Sequence, residues 1–333
     1  MKKKRELPLV EPIYSTYHCV GSGCAVITDN PSIRNWYLNS VGVLRCTRKF
    51  LEGYASPELF IEKSRWGENP YLEKNWLPGK FFKGYINPII REFIDNGYYV
   101  HFDGIDDYYF KGKSWYKHRH FCHDGLICGY DQEKKTYSVF AYDSNWIYRK
   151  FEAPQKCFNN GRRAMERRGI YASISGIKPL PEQVVFDPQK ARQLIKDYLH
   201  SSFEKYPLNG EGVILGIVVQ EYLVLYLDRL IEEKVCYERM DYRIFRLIWE
   251  HKKVMLERII NIENALGMDN VFSERYRPLV DDANTMRMLY ASHHLKRRDS
   301  VLPIIRKKIL SLSAKEKEIL TDFINKTEGN EAE

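Results

Sequence analysis

The segment from residue 118 to residue 131 constrains the fold most, because it places three histidines and two cysteines directly before a short apolar run. The run ends at Gly129-Tyr130-Asp131, a pattern typical of a strand that leads into a turn. Alternate residues of a strand point to one face, so His123 shares a face with every second residue as far as Gly129. The segment therefore predicts a buried strand that holds the imidazole of His123 rigidly at its start.

Two neighbouring strands are predicted around this segment. One spans residues 98–102, and the other spans residues 136–142 after a turn at residues 131–134. Asp143 ends the second of these strands. We therefore expect an antiparallel hairpin to bring the Asp143 carboxylate close to the imidazole of His123.

The composition changes near Pro179-Leu180-Pro181, and helical patterns dominate beyond it. Helices are predicted over Asp187–Tyr206, Gly212–Lys234, Tyr242–Leu266 and Pro278–Lys296. The window from Val213 to Leu227 is apolar throughout most of its length, which indicates a helix in a core. We therefore predict an α+β domain with an antiparallel sheet over residues 1–178, followed by an all-helical domain over residues 179–333.

Composition and cysteine usage limit the class of protein. The chain has 333 residues, of which 44% are hydrophobic and 29% are charged, as in ordinary globular proteins. Its seven cysteines follow no disulfide framework, which favours a reducing compartment. The basic start, from Met1 to Arg5, is followed by charged residues and prolines instead of the apolar segment of a signal peptide. We expect a soluble cytoplasmic protein with no membrane partner.

The net charge of +8 is concentrated in the first half of the chain. Residues 1–178 hold 28 lysines and arginines against 19 acidic residues, whereas residues 179–333 hold 24 against 25. Such an excess attracts an acidic partner, either nucleic acid or an acidic carrier protein, or it is simply a solvated surface. The clearest basic patch consists of four arginines: Arg162, Arg163, Arg167 and Arg168.

Cys19 is the candidate nucleophile, because a helix is predicted to begin close to it. The backbone dipole at a helix N-terminus favours a thiolate over a thiol. A neighbouring imidazole then forms a thiolate–imidazolium pair, and a carboxylate or amide orients the ring. His123 and Asp143 suit these two roles. Cys24 is a rival nucleophile more than one helical turn further along, and the simpler alternative is that Cys19 is a small buried apolar residue.

Four motifs occur in a defined order along the first half of the chain. They are His18-Cys19 with the small and apolar residues that follow, Tyr98–Phe102 with Asp107-Tyr108-Tyr109, His123–Asp131, and Tyr142-Asp143. Together they resemble the butirosin-type acyltransferase family, which has a papain-like fold and is related to bacteriocin-processing cysteine peptidases. The likeness covers about residues 13–175. Within that family the chain is most similar to amide synthases of nonribosomal thiotemplate pathways, of the closthioamide type.

The resemblance implies a cysteine-dependent acyltransferase in which Cys19 is the nucleophile, His123 is the general base and acid, and Asp143 orients the imidazole. Such proteins move an acyl group from the phosphopantetheine thioester of a carrier protein, through an acyl-cysteine, to a small amine acceptor. The expected partners are therefore an acyl or peptidyl carrier protein and the amine rather than nucleic acid, with no metal and no cofactor besides the phosphopantetheine arm. The predicted substrate-binding residues are Tyr17, His18, Asp107 and Tyr108.

The residues before Cys19 depart from the papain pattern. Papain-like peptidases place a glutamine there as an oxyanion donor, and residues 14–18 contain none. The backbone N–H of Cys19 is one predicted donor. Ser15, Tyr17 or His18 would have to substitute for the glutamine.

Three alternatives stay open. His118, His120 and Cys122 share one face of a strand and are acceptable zinc ligands, although no second ligand pair of familiar spacing occurs. A papain-like cysteine peptidase would use the same nucleophile, base and orienting residue. A non-catalytic protein that binds a carrier protein or nucleic acid would use only the basic half. The aromatic residues from Trp66 to Tyr116 are compatible both with a substrate channel and with core packing.

Overall fold

The structure of this chain is a computed structural model, and it describes residues 3–52, 56–82, 84–201, 212–232 and 240–329. The strands, numbered in chain order, are β1 Lys4–Glu6, β2 Leu44–Thr47, β3 Phe60–Ile61, β4 Leu72–Leu77, β5 Tyr99–Asp106, β6 Cys122–Asp131, β7 Thr136–Tyr142, β8 Tyr148–Pro154, β9 Ile174–Pro179 and β10 Val213–Leu215. The helices are α1 His18–Ala25, α2 Arg34–Ser40, α3 Ile86–Asp95, α4 Gln155–Arg167, α5 Pro188–Leu199, α6 Val219–Ile231, α7 Ile244–Ala265, α8 Val271–Lys296 and α9 Leu302–Gly329. The predicted ends of two helices, residues 202–206 and 233–234, lie outside the described residues.

Contacts divide the chain into two compact units. The first consists of residues 1–34 and 65–183, and the second consists of residues 35–64 and 184–333. The described strands pair in antiparallel fashion, and the C-terminal region is mostly helical. The predicted combination of an antiparallel sheet with a helical C-terminal region is therefore confirmed.

The sheet of the first unit has the strand order β4-β9-β5-β6-β7-β8, and β1 adds to β6. Strand β7 spans the residues that the alternating pattern predicts, whereas β5 continues four residues beyond the predicted end at Phe102. In the paired β5 and β6, Phe102 lies opposite Gly125 and Asp106 lies opposite Cys122. The extension of β5 therefore brings its C-terminal end beside the start of the histidine strand.

Two glycines of β6 permit close packing. A Cβ atom on Gly125 would lie 2.6 Å from the ring of Phe102, and one on Gly129 would lie 2.8 Å from the backbone oxygen of Arg5 in β1. A bulge just before Gly129 shifts the register between β6 and β7. The bulge adds one unpaired residue to the strand, so the predicted common face of His123 and Gly129 is interrupted there.

Helices cover both faces of this sheet. On one face, Phe158 of α4 packs edge-on against Phe102, which also covers Gly125. On the other face, α1 contacts β6 through a hydrogen bond between His18 and Asp124. Because Asp124 and Gly125 are consecutive strand residues, their side chains point to opposite faces, which places α1 and α4 on opposite sides of the sheet.

The predicted domain boundary after residue 178 differs from the structure, because residues 35–64 pack with the C-terminal helices. Strand β2 pairs with β10 on one side and with β3 on the other. Arg258 of α7 is fully buried. It donates hydrogen bonds to the carbonyl oxygens of Tyr37 and Leu38 in the last turn of α2, and to that of Val41 just after the helix. These contacts satisfy the last carbonyl groups of a helix and thereby fix residues 35–64 in the second unit.

The apolar window that predicts one core helix is divided between two elements. Residues 213–215 form β10, and helix α6 begins only at Val219. A turn at Gly216, with φ of 79°, separates them. The second unit is therefore not all-helical. In the described ranges, no helix is both long enough and apolar enough to cross a membrane.

A buried ion pair joins the helices of the second unit. Lys252 of α7 and Glu316 of α9 are fully buried, and the Lys252 Nζ atom lies 2.6 Å from Oε2 of Glu316. The carboxylate also accepts hydrogen bonds from Gln220 at 2.5 Å, from Tyr198 at 3.2 Å and from the hydroxyl of Tyr276. Buried charges need such partners, because the removal of one charge leaves the other uncompensated.

We predict that Lys252→Met lowers the free energy of unfolding by about 3 kcal/mol, because it leaves the Glu316 carboxylate buried without its cation. Urea denaturation followed by circular dichroism measures this loss. The matched control is Lys308→Met, since Lys308 and Asp282 form a partly exposed ion pair. Its expected loss is about 1 kcal/mol or less. Equal losses in the two variants would contradict the structural role of the buried pair.

Candidate active site

A histidine–aspartate pair lies where β5 ends and β6 begins. His123 is the second residue of β6, and Asp107 opens a short 3-10 helix directly after β5. The Nδ1 atom of His123 lies 2.8 Å from Oδ2 of Asp107. The Asp107 side chain is only 2% exposed, whereas that of His123 is 22% exposed. A buried carboxylate therefore orients an imidazole that solvent still reaches, which is the arrangement required of a general base.

Asp143 occupies a different position from the one that the hairpin predicts. Its Oδ1 atom accepts hydrogen bonds from the backbone N–H groups of Asn145 at 2.8 Å and Ile147 at 3.0 Å. Its Oδ2 atom pairs with the guanidinium of Arg149. Burial acts to raise the pKa of Asp143, but these hydrogen bonds and Arg149 outweigh it and lower the pKa. Both carboxylate oxygens close the β7–β8 turn, so Asp107 and not Asp143 contacts His123.

Lys113 adds a buried positive charge behind this pair. Its side chain is 1% exposed, and its Nζ atom lies 3.9 Å from Oδ1 of Asp107. The same ammonium group donates to the backbone oxygen of Asp124 at 3.5 Å. Burial lowers the pKa of Lys113, and the carboxylates of Asp107 and Asp124 oppose that shift. Asp107 therefore has a basic group on each side.

Cys19 is the second residue of α1, where the chain leaves the extended conformation of Tyr17. The carbonyl oxygen of Tyr17 accepts hydrogen bonds from the backbone N–H groups of Val20 at 3.0 Å and Gly21 at 2.8 Å. Cys19 is half-buried, whereas Cys24 is fully buried within the same helix. The ring of His18 lies 4.4 Å from that of His123, centroid to centroid. The end of α1 that carries Cys19 therefore lies beside the candidate base.

Gly21, in the first half of α1, lies against the ring of Tyr148, which leaves no room for a side chain. A Cβ atom on Gly21 would lie 2.7 Å from the ring of Tyr148. Tyr148 is buried and also packs against the ring of His18, with centroids 5.3 Å apart. Gly21 lowers the helix propensity of the segment. The absence of a side chain at Gly21 allows α1 to pack closely against Tyr148 of β8. This packing fixes the position of the helix start.

His18 is buried and neutral. Its Nε2 atom accepts a hydrogen bond from the backbone N–H of Tyr142 at 3.0 Å, so its proton lies on Nδ1, which donates to Asp124 at 2.8 Å. Burial, assisted by the charge of Lys113, lowers the pKa of His18 to about 3. Both ring nitrogens are committed to the protein. His18 therefore cannot replace the missing oxyanion glutamine, and its predicted contact with substrate is limited to the ring carbons.

Asp124 is shared between two histidines. Its second oxygen lies 3.5 Å from Nε2 of His101, whose other nitrogen lies 3.3 Å from Asp103. Burial acts to lower the pKa of His101, but the two carboxylates prevail and raise it to about 9. His101 is therefore a cation at neutral pH. Its charge compensates Asp124, whose pKa is lowered mainly by His101 and His18 against the effect of burial.

A metal ion does not fit this cluster well. In the part of the chain that the structure describes, the set of potential ligands that comes together is His18, His123 and Asp124, with ligand atoms within 4.8 Å of one another. His18 has no lone pair left for a metal, because Nε2 accepts from the Tyr142 amide and Nδ1 carries the proton. Within the same described ranges, the three residues that the sequence offers as zinc ligands do not form a set.

His120, which lies before β6, pairs with a different carboxylate, that of Asp106. The Nδ1 atom of His120 lies 2.7 Å from Oδ2 of Asp106, and its ring stacks on Tyr108 with centroids 4.4 Å apart. The other oxygen of Asp106 accepts from the backbone N–H of Tyr108 at 3.1 Å. This pair therefore holds the turn after β5 and gives Tyr108 its position. Cys122 is exposed.

A row of aromatic rings leads from His123 toward solvent. Phe121 packs edge-on against His123 at 5.2 Å between centroids, Trp115 lies 6.4 Å from Phe121, and Trp146 lies 5.5 Å from Trp115. Phe121 is 39% exposed and Trp146 is 36% exposed. The Asp143 turn holds Trp146 at a φ of 60°, which bulky residues rarely adopt. Trp115 is thus one member of the predicted aromatic segment that lies beside the site.

Sequence reasoning missed two features of this site. Lys113 gives no signal, because a single lysine in an aromatic loop is ordinary surface chemistry. The role of Asp107 had a signal, namely a carboxylate directly after the strand that pairs with the histidine strand. Comparison of the sequence with protein-family models gave no match, and comparison with curated proteins gave none either.

We predict that the stabilising contribution of His101 to the free energy of unfolding is lost at alkaline pH. Its pKa is raised from 6.5 to about 9, so its contribution is fully present below pH 6.5 and is lost as the pH rises through 9. The loss amounts to up to about 1 kcal/mol per pH unit. Urea unfolding at pH 6.5 and pH 9.5 measures the difference between the wild type and His101→Gln, which should shrink at the higher pH. The exposed His118 supplies the control His118→Gln, and a pH-independent difference for His101→Gln would contradict the prediction.

Proposed function

We propose that the protein is a cysteine-dependent acyltransferase whose first unit is a papain-like catalytic domain. Cys19 is the nucleophile, His123 is the general base and acid, and Asp107 orients the imidazole. The observation that carries the proposal is the buried Asp107 held 2.8 Å from a partly exposed His123, beside the helix start that bears Cys19. The antiparallel sheet and the helix at the nucleophile agree with a papain-like fold.

The chemistry of the proposed reaction needs two steps. In the first, the Cys19 thiolate attacks the carbonyl carbon of a thioester, and the phosphopantetheine thiol leaves with a proton from the His123 imidazolium. In the second, an amine attacks the acyl-cysteine while His123 takes a proton from the amine nitrogen. The Cys19 thiolate is released, and the acyl group has passed from sulfur to nitrogen as an amide.

The position of Cys19 supports its role as the nucleophile. It lies in the first turn of α1, where the helix dipole favours the thiolate. Cys24 lies at the far end of the same short helix and is 1% exposed, so a bulky thioester cannot reach it without rearrangement. Since both nitrogens of His18 are committed, the backbone N–H of Cys19 is the donor to the oxyanion in this mechanism.

The proposed donor is an acyl or peptidyl carrier protein. Three of the four predicted arginines, Arg163, Arg167 and Arg168, are exposed at the end of α4, whereas Arg162 is buried and pairs with Glu166. An exposed basic surface suits an acidic carrier. The proposed path of the acyl group follows the ring row from Phe121 to Trp146, because these half-exposed rings begin at the imidazole of the base.

We predict that incubation with an acyl thioester adds one acyl group to the protein, and that Cys19→Ala abolishes the adduct because it removes the thiol at the helix start beside His123. Intact-mass spectrometry measures the loading. The exposed Cys122 provides the matched control Cys122→Ala, which should load normally. The same adduct on the Cys19→Ala protein would refute the assignment of the nucleophile. Peptide cleavage without amide formation from thioester and amine would favour a cysteine peptidase instead.

We predict that Asp107→Asn lowers kcat for acyl transfer roughly 100-fold or more, because an amide no longer fixes the tautomer and orientation of His123. Asp143→Asn should cost at least tenfold less, since Asp143 contacts the turn and not the imidazole. Steady-state kinetics with one thioester and one amine measure both values. A greater loss for Asp143→Asn would restore Asp143 as the orienting residue.

A further inference from the structure

We infer that Lys113 is a positioning residue of the proposed site, whose buried ammonium balances the Asp107 carboxylate and favours the thiolate of Cys19. The inference rests on the proposed function, because it takes Cys19, His123 and Asp107 as the reacting group and its support. Lys113 itself has no contact with substrate in this arrangement. Its effect passes through the charge that it places behind the histidine–aspartate pair.

The geometry places Lys113 at the centre of the charged groups. Its Nζ atom lies 3.9 Å from Oδ1 of Asp107, while Oδ2 of the same carboxylate faces His123 at 2.8 Å. Among the residues that the structure describes, none makes a hydrogen bond to Oδ1 of Asp107, although the atom is buried. The ammonium group of Lys113 therefore balances the negative charge on the Oδ1 side of the buried Asp107 carboxylate.

Three titratable groups surround Lys113. Asp107 faces it from the 3-10 helix, the Asp124 carboxylate acts on its charge from β6, and the neutral His18 faces it from α1. The field of Lys113 reaches the imidazole of His18, since it assists burial in lowering the pKa of that ring. A field of this sign and range also acts on a thiolate at the neighbouring residue, Cys19. There it stabilises the negative charge, because opposite charges attract strongly where water is excluded.

Removal of the ammonium group has a predictable sign. The Asp107 carboxylate would then be compensated by His123 alone, and the site would carry one more unit of negative charge. A thiolate next to that site becomes less favourable, so Cys19 should ionise at higher pH. An arginine at the same position restores the positive charge, whereas methionine keeps most of the volume without the charge.

The test measures the rate at which iodoacetamide alkylates Cys19 between pH 4 and pH 10, with the product located by mass spectrometry. In Lys113→Met, the midpoint of the rate profile should move upward by about half a pH unit or more, which is roughly a threefold slower reaction on the acid side. Lys113→Arg should keep the wild-type midpoint. Lys111 is an exposed lysine on the same loop, and the matched control Lys111→Met should leave the profile unchanged.

A folded Lys113→Met protein with the wild-type midpoint would overturn the inference. So would a midpoint that shifts equally in Lys113→Arg, because that result would show a packing effect. If Lys113→Met does not fold, direct nuclear magnetic resonance titration of the labelled Lys113 side chain in the wild type decides the question. An ammonium group at pH 7 is expected, and a neutral amine there would overturn the inference.

This experiment separates failure of the inference from failure of the proposed function. Alkylation needs no acyl donor, carrier protein or amine, so the midpoint is measured whether or not acyl transfer occurs. Thioester loading that depends on Cys19, together with an unchanged midpoint in Lys113→Met, would overturn only the role of Lys113. A shifted midpoint without any loading would overturn only the acyltransferase proposal.

Discussion

The contact between His123 and Asp107 depends on the compensation of charge inside the first unit. A carboxylate that is 2% exposed is costly unless a basic group faces it. Asp107 meets this condition with His123 on one oxygen and Lys113 near the other, and Asp124 meets it with His18 and His101. Carboxylates and basic groups therefore alternate along the end of the sheet. The alternation explains why so many polar groups can be buried at one place.

The neutral state of His18 also limits the buried charge at this end of the sheet. Its ring lies 4.4 Å from that of His123, so two imidazolium ions there would repel each other. The backbone N–H of Tyr142 removes the possibility by donating to Nε2, which cannot then carry a proton. Burial adds to this and lowers the pKa of His18 to about 3. The imidazole beside the candidate base is thus held in its neutral form.

Much of the first unit was predictable from local patterns. The alternation of apolar residues gave β7 as it is observed, and the glycine-marked apolar run gave β6 with His123 at its start. The second unit was less predictable. The place of residues 35–64 depends on hydrogen bonds from Arg258 and on the pairing of β2 with β10, and both Arg258 and β10 are far from residues 35–64 in sequence. Strand β10 was missed for a related reason. Three apolar residues read equally well as helix or strand until a pairing partner is known.

The choice between Asp107 and Asp143 shows where local reasoning fails at the site. Both carboxylates follow a strand that pairs with β6, so their positions in the sheet are similar. What differs is which residue forms the turn. After β7, Asp143 itself accepts the backbone N–H groups of the turn, and both of its oxygens are used. After β5, the preceding Asp106 performs that task for Tyr108, which leaves the side chain of Asp107 to face His123. A pair of consecutive aspartates at a strand end therefore divides turn formation from ring orientation, whereas a single aspartate followed by Ser144 and Asn145 forms the turn.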